Sequence, residues 1–249
     1  MISIVTVVNK PEIYTNGLKK SLEAQTDVEY EIICMDNTNN QYSSIALALN
    51  EGIEKTTGEW ILFCHPDIEF LQNNELCNIY NTVKNLDERN KNIGLYGAAG
   101  VEDSESNNFI STIFHGNDKS VVPNTTAPAE EYASVFTVDA CFFLIKKDVI
   151  NEYKFDEKIK GFHFHTEELC FRLRKNGYKI AVIPMNLWHY SSGASLDYTY
   201  YKAARNVMRK YKNEKLVYTT SFRWKNKILS RMKLYYYQAR NYIHHKLMR

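Results

Sequence analysis

The apolar residues of the first hundred positions fall into short unbroken runs, separated by stretches in which they recur at helical spacing. Ile2 to Val8 is β-branched and apolar on both faces, as a strand buried inside a sheet should be. Pro11 suits the first turn of a helix and predicts one running to about Gln25. Glu31 to Met35 is a second strand-like run, ended by the polar cluster Asp36-Asn37-Thr38-Asn39-Asn40, which cannot continue a strand. Ile45, Leu49 and Ile53 return to helical spacing. Trp60 to Cys64 predicts a third strand, followed by His65-Pro66-Asp67, then a helix from about Asn73 to Leu86 and a fourth strand over Ile93 to Val101. This alternation predicts an α/β fold with a mostly parallel central sheet flanked by helices. Ligands in such sheets bind beyond the carboxyl ends of the strands, so the loops after Val8, Met35 and Cys64 are the places for a site.

Further along, residues 102–131 are polar and irregular and read as excursions across the active face. Val135 to Ile145 predicts another strand. Glu167 to Asn176 predicts a helix closed by Gly177, and Tyr178 to Ile183 a last short strand. From Trp224 to Leu247, apolar residues recur at Trp224, Ile228, Met232, Tyr235, Tyr236, Ala239, Tyr242, Ile243 and Leu247, the pattern of a long amphipathic helix with a cationic opposite face.

Composition narrows the class. The chain has 249 residues, 44% hydrophobic, with a net charge of +2, enough for a substantial core without disulfides or structural metal. No apolar run approaches the ~20 residues of a membrane span. The opening MISIVTVVNK lacks the basic segment of a signal peptide. Cys34, Cys64, Cys77, Cys141 and Cys170 are odd in number, widely spaced and without CxxC, and read as reduced, mostly buried thiols of a cytosolic protein. The small net charge hides an asymmetry. Residues 1–201 hold 17 Lys and Arg against 28 acids; residues 202–249 hold 14 against the single acid Glu214. The expected organisation is therefore an acidic body over 1–201 and a basic helical tail over 202–249.

No GxxxxGK[ST] motif is present, and Gly97-Ala98-Ala99-Gly100 is too short a match for a dinucleotide fingerprint. A different pattern does recur. Ser21 to Asn40 (SLEAQTDVEYEIICMDNTNN) resembles the opening of family 2 glycosyltransferases. Asn50, Gly52 and Gly58 to Phe63 (GEWILF) resemble the segment that precedes their DXD-type metal site. Here that segment ends in His65-Pro66-Asp67-Ile68, similar to the HxD variant of the streptomycin-biosynthesis glycosyltransferase-like subfamily. Phe155-Asp156-Glu157, Gly161-Phe162-His163-Phe164 and Glu168-Leu169-Cys170 resemble a later block of the same subfamily. The resemblance covers residues 1 to about 195 in order and leaves the tail outside.

The resemblance implies a single Rossmann-like A-type glycosyltransferase domain. It would move a sugar, with inversion, from a nucleotide-sugar donor to a hydroxyl of a glycan or lipid-linked acceptor in bacterial surface polysaccharide synthesis. It also implies Mn²⁺ or Mg²⁺ to neutralise the leaving diphosphate. Asp67 would be the carboxylate ligand, helped by His189 in the segment Trp188 to Gly193, with His65 in place of the first acid of DXD. Asp36 would read the base, its alternative role being an Asx-turn. Asn9 faces the same crevice and can equally support the turn before Pro11. Asp139 would line the boundary between sugar and acceptor, or satisfy a buried turn. The family's general base falls on Thr166, which cannot act as one, so the neighbouring Glu167 or Glu168 is the candidate, with His163 or His165 assisting. Both acids would also complement a helix dipole. The tail, through residues 222–249, fits an anionic membrane surface on the cytoplasmic face, or packing on the acidic body; no nucleic acid is expected as a partner. Two other classes fit these residues: a non-catalytic sugar-nucleotide or glycan binder of the same fold, and a scaffold acting through the basic tail.

Overall fold

The computed structural model describes residues 1–90, 92–102, 108–116, 119, 130–190, 198–212, 216–218, 223–225 and 228–247. The chain begins with β1 (Ile2–Val8). A helical stretch follows, made of α1 (Pro11–Tyr14), a π-helical turn (Thr15–Lys19) and α2 (Lys20–Glu23). Then come β2 (Tyr30–Asp36), α3 (Ile45–Glu54), β3 (Trp60–Cys64), β4 (Ile68–Phe70), α4 (Glu75–Arg89) and β5 (Ile93–Gly97). Five short strands lead back to the sheet: β6 (Ala99–Val101), β7 (Phe109–Ser111), β8 (Ile113–His115), β9 (Ala133–Val135) and β10 (Thr137–Val138). After β11 (Phe142–Lys146) lie α5 (Lys147–Tyr153), α6 (His165–Lys175), β12 (Lys179–Val182) and β13 (Leu187–His189). The chain ends with α7 (Tyr198–Lys210), the hairpin β14 (Leu216–Tyr218) and β15 (Arg223–Lys225), and α8 (Ile228–Leu247).

The central sheet has seven strands in the order β2-β1-β3-β11-β5-β12-β9. β2, β1, β3, β5 and β12 share one direction, while β11 and β9 oppose it. The sheet is therefore parallel in most strands but mixed at its centre. The period-2 alternation of the strands sorts their side chains into two cores. Ile2, Ile4, Leu62, Cys64, Phe142 and Leu144 face Leu18, Leu22 and the α4 stripe Leu76, Ile79, Val83 and Leu86. Val5, Ile61, Phe63, Phe143 and Ile145 face Leu49 and Ile53 of α3 and Leu169, Cys170 and Leu173 of α6. Both faces being covered explains why β3 reads as a continuous apolar run and β1 as one broken only by the buried Ser3 and Thr6. Gly58 is required by close approach: a Cβ there would lie 2.7 Å from the Ser3 backbone nitrogen.

Three predicted elements differ. Ile93 to Val101 is not one strand: the chain turns out of the central sheet at Ala98, and β6 joins β10 and β7 in a separate three-stranded sheet. Val135 to Ile145 breaks in the same way into β9, β10 and β11. Trp224 lies in β15, and the last helix begins at Ile228.

Cys34 is exposed, Cys77 is half-buried, and Cys64, Cys141 and Cys170 are buried; all five are free thiols. A third core joins α6 to α7 and α8 through Phe164, Phe171, Tyr200, Tyr201, Ala204, Val207, Met208 and Leu234, with Tyr237 stacked on Tyr201. α7 thus straddles the 201/202 boundary expected from charge. Among the described residues no helix is long and apolar enough to cross a membrane.

Candidate active site

The site grows from a second small sheet, β4-β13-β8, at the carboxyl edge of the central one. β3 delivers His65 one residue past its end, and the turn through Pro66 leads to Asp67 immediately before β4. In the antiparallel pair β13–β4, His189 faces Ile68, and the Tyr190 amide donates to the Asp67 carbonyl at 3.0 Å. The buried Glu75 clamps the start of β13 by accepting from the Asn186 amide at 2.8 Å and from its side chain at 3.1 Å.

This scaffold brings His65, Asp67 and His189 together, each offering one ligand atom within 4.8 Å of the others. His189 Nε2 lies 3.4 Å and His65 Nδ1 3.9 Å from Asp67 Oδ1. That oxygen is buried, and neither imidazole makes a well-aligned hydrogen bond to it, which suits a carboxylate meant for a cation. Burial opposes the charged form of Asp67, but His189 and His65 outweigh it and keep its pKa below the usual carboxylate range. Two imidazoles and one carboxylate on one side of a solvent-accessible position fit a divalent transition metal.

Asp139 stands between this cluster and α6. Its Oδ1 accepts from the Cys141 amide at 2.9 Å, and its charge acts on His65, His115, His165 and Glu167 alike. α6 starts after Phe164, a non-glycine residue held in the left-handed region at φ 66°, which aims the first helical turn inward. Three consecutive residues of that turn, His165, Thr166 and Glu167, are buried and carry polar atoms with no hydrogen-bond partner. Burial pushes the Glu167 carboxyl up to about 8, with the Asp139 charge adding to the rise. Burial likewise pushes the His165 imidazole down to about 3, so it is neutral. His165 lines a small pocket with His65, Pro66, Val7, Ile45 and Leu49, at the carboxyl ends of β1 and β3.

Glu168 stands apart from its neighbour. It is fully buried, accepts both oxygens' worth of contact from Arg172 Nε at 2.9 Å, and accepts from Lys210 Nζ at 2.5 Å and the Tyr211 hydroxyl at 2.7 Å. It ties α6 to the end of α7. Asp36 ends β2 in an exposed Asx-turn: Oδ1 accepts from the Thr38 amide at 2.8 Å, which lowers its pKa. Asn9 is exposed just past β1, beside Asp36 through the pairing of Val8 with Asp36. His163 packs its ring on Tyr200. The Ser191 to Gly193 loop lies outside the described residues.

One site residue had no signal in the sequence. His115 ends β8 opposite His189, with the two Nδ1 atoms 3.2 Å apart. It sits in the irregular 102–131 segment, where neither periodicity nor motif marks it. A short apolar pair, Ile113-Phe114, was the only cue that a strand ran there.

The family model described as "Glycosyltransferase like family" matches residues 3–211. A protein of Fuscovulum blasticum described as "ATP synthase subunits region ORF 6" is 24% identical over 186 residues, covering 73% of this chain and 71% of its own. Three solved structures share the fold. GalNAc-T7 with UDP, GalNAc and Mn²⁺ aligns with a TM-score of 0.63 at 13% identity, covering 86% of this chain and 48% of its own. The Pyrobaculum calidifontis mannosyltransferase PcManGT with GDP-Man and Mn²⁺ gives 0.58 at 11%, covering 86% and 64%. S. aureus TarS 1-349 with UDP-GlcNAc gives 0.54 at 15%, covering 84% and 66%. The chain spans about half to two-thirds of the length of these structures.

Proposed function

Since the chain belongs to the glycosyltransferase-like family, we propose that it transfers a sugar from a nucleoside-diphosphate sugar to a hydroxyl of a glycan or lipid-linked acceptor, with inversion. The observation that carries this reading is a pair of carboxyls, Asp67 and Glu167, each with one buried oxygen that lacks a hydrogen bond. Asp67 stands among imidazoles, and Glu167 is buried, with its Oε2 free of hydrogen bonds and within the influence of the Asp139 charge. Bound UDP, UDP-GlcNAc and GDP-Man in structures of the same fold support a nucleotide-sugar donor and leave its base and sugar open.

In this mechanism Asp67, His189 and His65 would hold a divalent cation, which would neutralise charge on the departing diphosphate. The acceptor hydroxyl oxygen attacks the anomeric carbon, the bond from that carbon to the diphosphate oxygen breaks, and the hydroxyl proton passes to Glu167. Single displacement inverts the anomeric centre. Asp139 and His165 line the space between, and Asp36 with Asn9 flank the nucleoside end. Thr166, at the family's base position, is displaced from that role by the next residue. Glu168 acts as an anchor. Two imidazole ligands favour Mn²⁺ over Mg²⁺, which prefers oxygen donors.

The tail adds a location. The apolar stripe of α8 faces outward: Ile228, Leu229, Met232 and Ile243 are 75, 76, 61 and 56% exposed, whereas Leu234 is fully buried against α7. With 14 cations over residues 202–249, that face suits an anionic lipid surface, and the enzyme would meet its acceptor at the cytoplasmic membrane face during surface-polysaccharide assembly. Nucleotide release from a panel of sugar nucleotides, with Mn²⁺, Mg²⁺ or chelator, tests the reading beside an Asp67→Ala control. Release that needs Mn²⁺ and vanishes in the control is expected; metal-independent release, or full turnover by Asp67→Ala, would overturn it.

A further inference from the structure

His115 carries an assignment of its own, which rests on the proposed cation site. β8 and β13 are parallel neighbours in register, with His189 opposite His115, so the two rings project from the same face of the small sheet. Three contacts lock that register. The Gly116 amide donates to the His189 carbonyl at 3.2 Å, Trp188 Nε1 donates to the Gly116 carbonyl at 2.9 Å, and Phe114 stacks on Trp188 with an interplanar angle of 8°. The result is an Nδ1-to-Nδ1 separation of 3.2 Å, hydrogen-bond distance between two nitrogens of the same kind.

A neutral imidazole has one N–H and one lone pair. Across this contact one Nδ1 must donate and the other accept, and the choice fixes both remaining nitrogens. The nitrogen of His189 beside Asp67 is Nε2, at 3.4 Å from Oδ1. For Nε2 to offer a lone pair to a cation, the proton of His189 must sit on Nδ1 and be donated to His115 Nδ1, whose own proton is then on Nε2. The reverse choice puts a proton on His189 Nε2 and removes the ligand. Histidine ligands commonly have their other nitrogen held by a carboxylate or a carbonyl; here a second imidazole stands in that place. We propose that His115 is a positioning residue that holds His189 as the Nδ1–H tautomer and so sets the cation affinity of the Asp67–His189 pair.

The test uses the whole 249-residue chain and Mn²⁺ alone. Mn²⁺ titration followed by electron paramagnetic resonance is run on wild type, His115→Asn, His115→Leu and Asp67→Ala. Asparagine keeps an acceptor oxygen near the Nδ1 position; leucine keeps bulk without one. Affinity should fall about 10- to 100-fold in His115→Leu and be largely restored in His115→Asn. Nitrogen-15 spectra of the metal-free protein should show the His189 proton on Nδ1 in wild type and in His115→Asn. Wild-type affinity in a folded His115→Leu, or a wild-type His189 proton on Nε2, overturns the proposal. Wild type that binds no more Mn²⁺ than Asp67→Ala refutes the cation site itself, and the tautomer measurement then judges His115 separately. That measurement also decides the matter should His115→Leu fail to fold.

Discussion

Replacing Glu167 by glutamine should change how stability depends on pH, in a direction opposite to that of most carboxylates. The side chain is 8% exposed, its Oε2 has no partner, and its pKa is raised to about 8 from an ordinary value near 4.5. A raised carboxylate pKa means that the folded state holds the proton more tightly than the unfolded chain. Between pH 4.5 and 8 the native protein therefore binds more protons, and stability falls as pH rises. Each pH unit in that window costs about 1.4 kcal/mol, so the wild type forfeits roughly 3 kcal/mol by pH 7 and roughly 5 kcal/mol above pH 8. Glutamine does not titrate. It adds one pH-independent penalty for a buried amide, on the order of 1 kcal/mol. The stability difference between variant and wild type should then move by roughly 3–4 kcal/mol in favour of Glu167→Gln from pH 5 to pH 8. Urea unfolding of both proteins in chelator at each pH reads this directly, because other titrating groups cancel in the difference. A flat difference across that range would refute the assignment of Glu167 as a buried, protonated acid. The neighbouring Glu168→Gln serves as the contrast. Losing charge between Arg172 and Lys210 should cost about 2 kcal/mol at neutral pH, less than a fully buried pair because those cations reach solvent. Sugar transfer per folded molecule should survive in Glu168→Gln and drop at least about 100-fold in Glu167→Gln.

The same carboxyl predicts that kcat/KM rises with pH until Glu167 ionises near 8; a profile flat from pH 6 to 9 would point to another base. Gly58→Ala should lower stability by about 1–3 kcal/mol in chemical denaturation, because its Cβ would press on the Ser3 backbone 2.7 Å away; an unchanged midpoint would deny the close approach. Changing Ile228, Leu229 and Met232 together to serine should abolish co-sedimentation with phosphatidylglycerol vesicles while leaving the melting temperature within a degree or two, since all three are more than 60% exposed. Retained vesicle binding would remove α8 from the membrane reading.

Legibility in the sequence followed the range of the forces involved. β1 and β3 could be read because burial on both faces leaves a predominantly apolar, β-branched or aliphatic run, and α4 because Leu76, Ile79, Val83 and Leu86 share one face. The breaks at Ala98 and between Val135 and Phe142 could not, because strands of two to five residues carry too little periodicity to reveal a change of sheet. The π-helical turn at Thr15–Lys19 left no trace for the same reason: it inserts one residue without disturbing the apolar spacing on either side. In the tail, the stripe counted from Ile228 to Ile243 had the right helical period, but only the position of α7 decides that Leu234 packs inward while the stripe faces out.

The candidate site divides along the same line. Asp67 and His65 lie two residues apart and inside a motif, so local sequence named them. Glu167 and Glu168 are adjacent acids in one helical turn, and no local rule separates them. What separates them is the end of α7, more than forty residues later, where Lys210 and Tyr211 claim Glu168, while Glu167 keeps a buried Oε2 without a hydrogen bond under the charge of Asp139. The basic tail therefore bears on the chemistry before any lipid is considered. It neutralises one of two neighbouring carboxylates by pairing and leaves the other to be neutralised by a proton. Two charged acids in the first buried turn of α6 would repel each other and be costly to bury. Splitting them, one paired with cations and one protonated, lets the fold keep both and leaves one carboxyl with a pKa close to the working range of a general base.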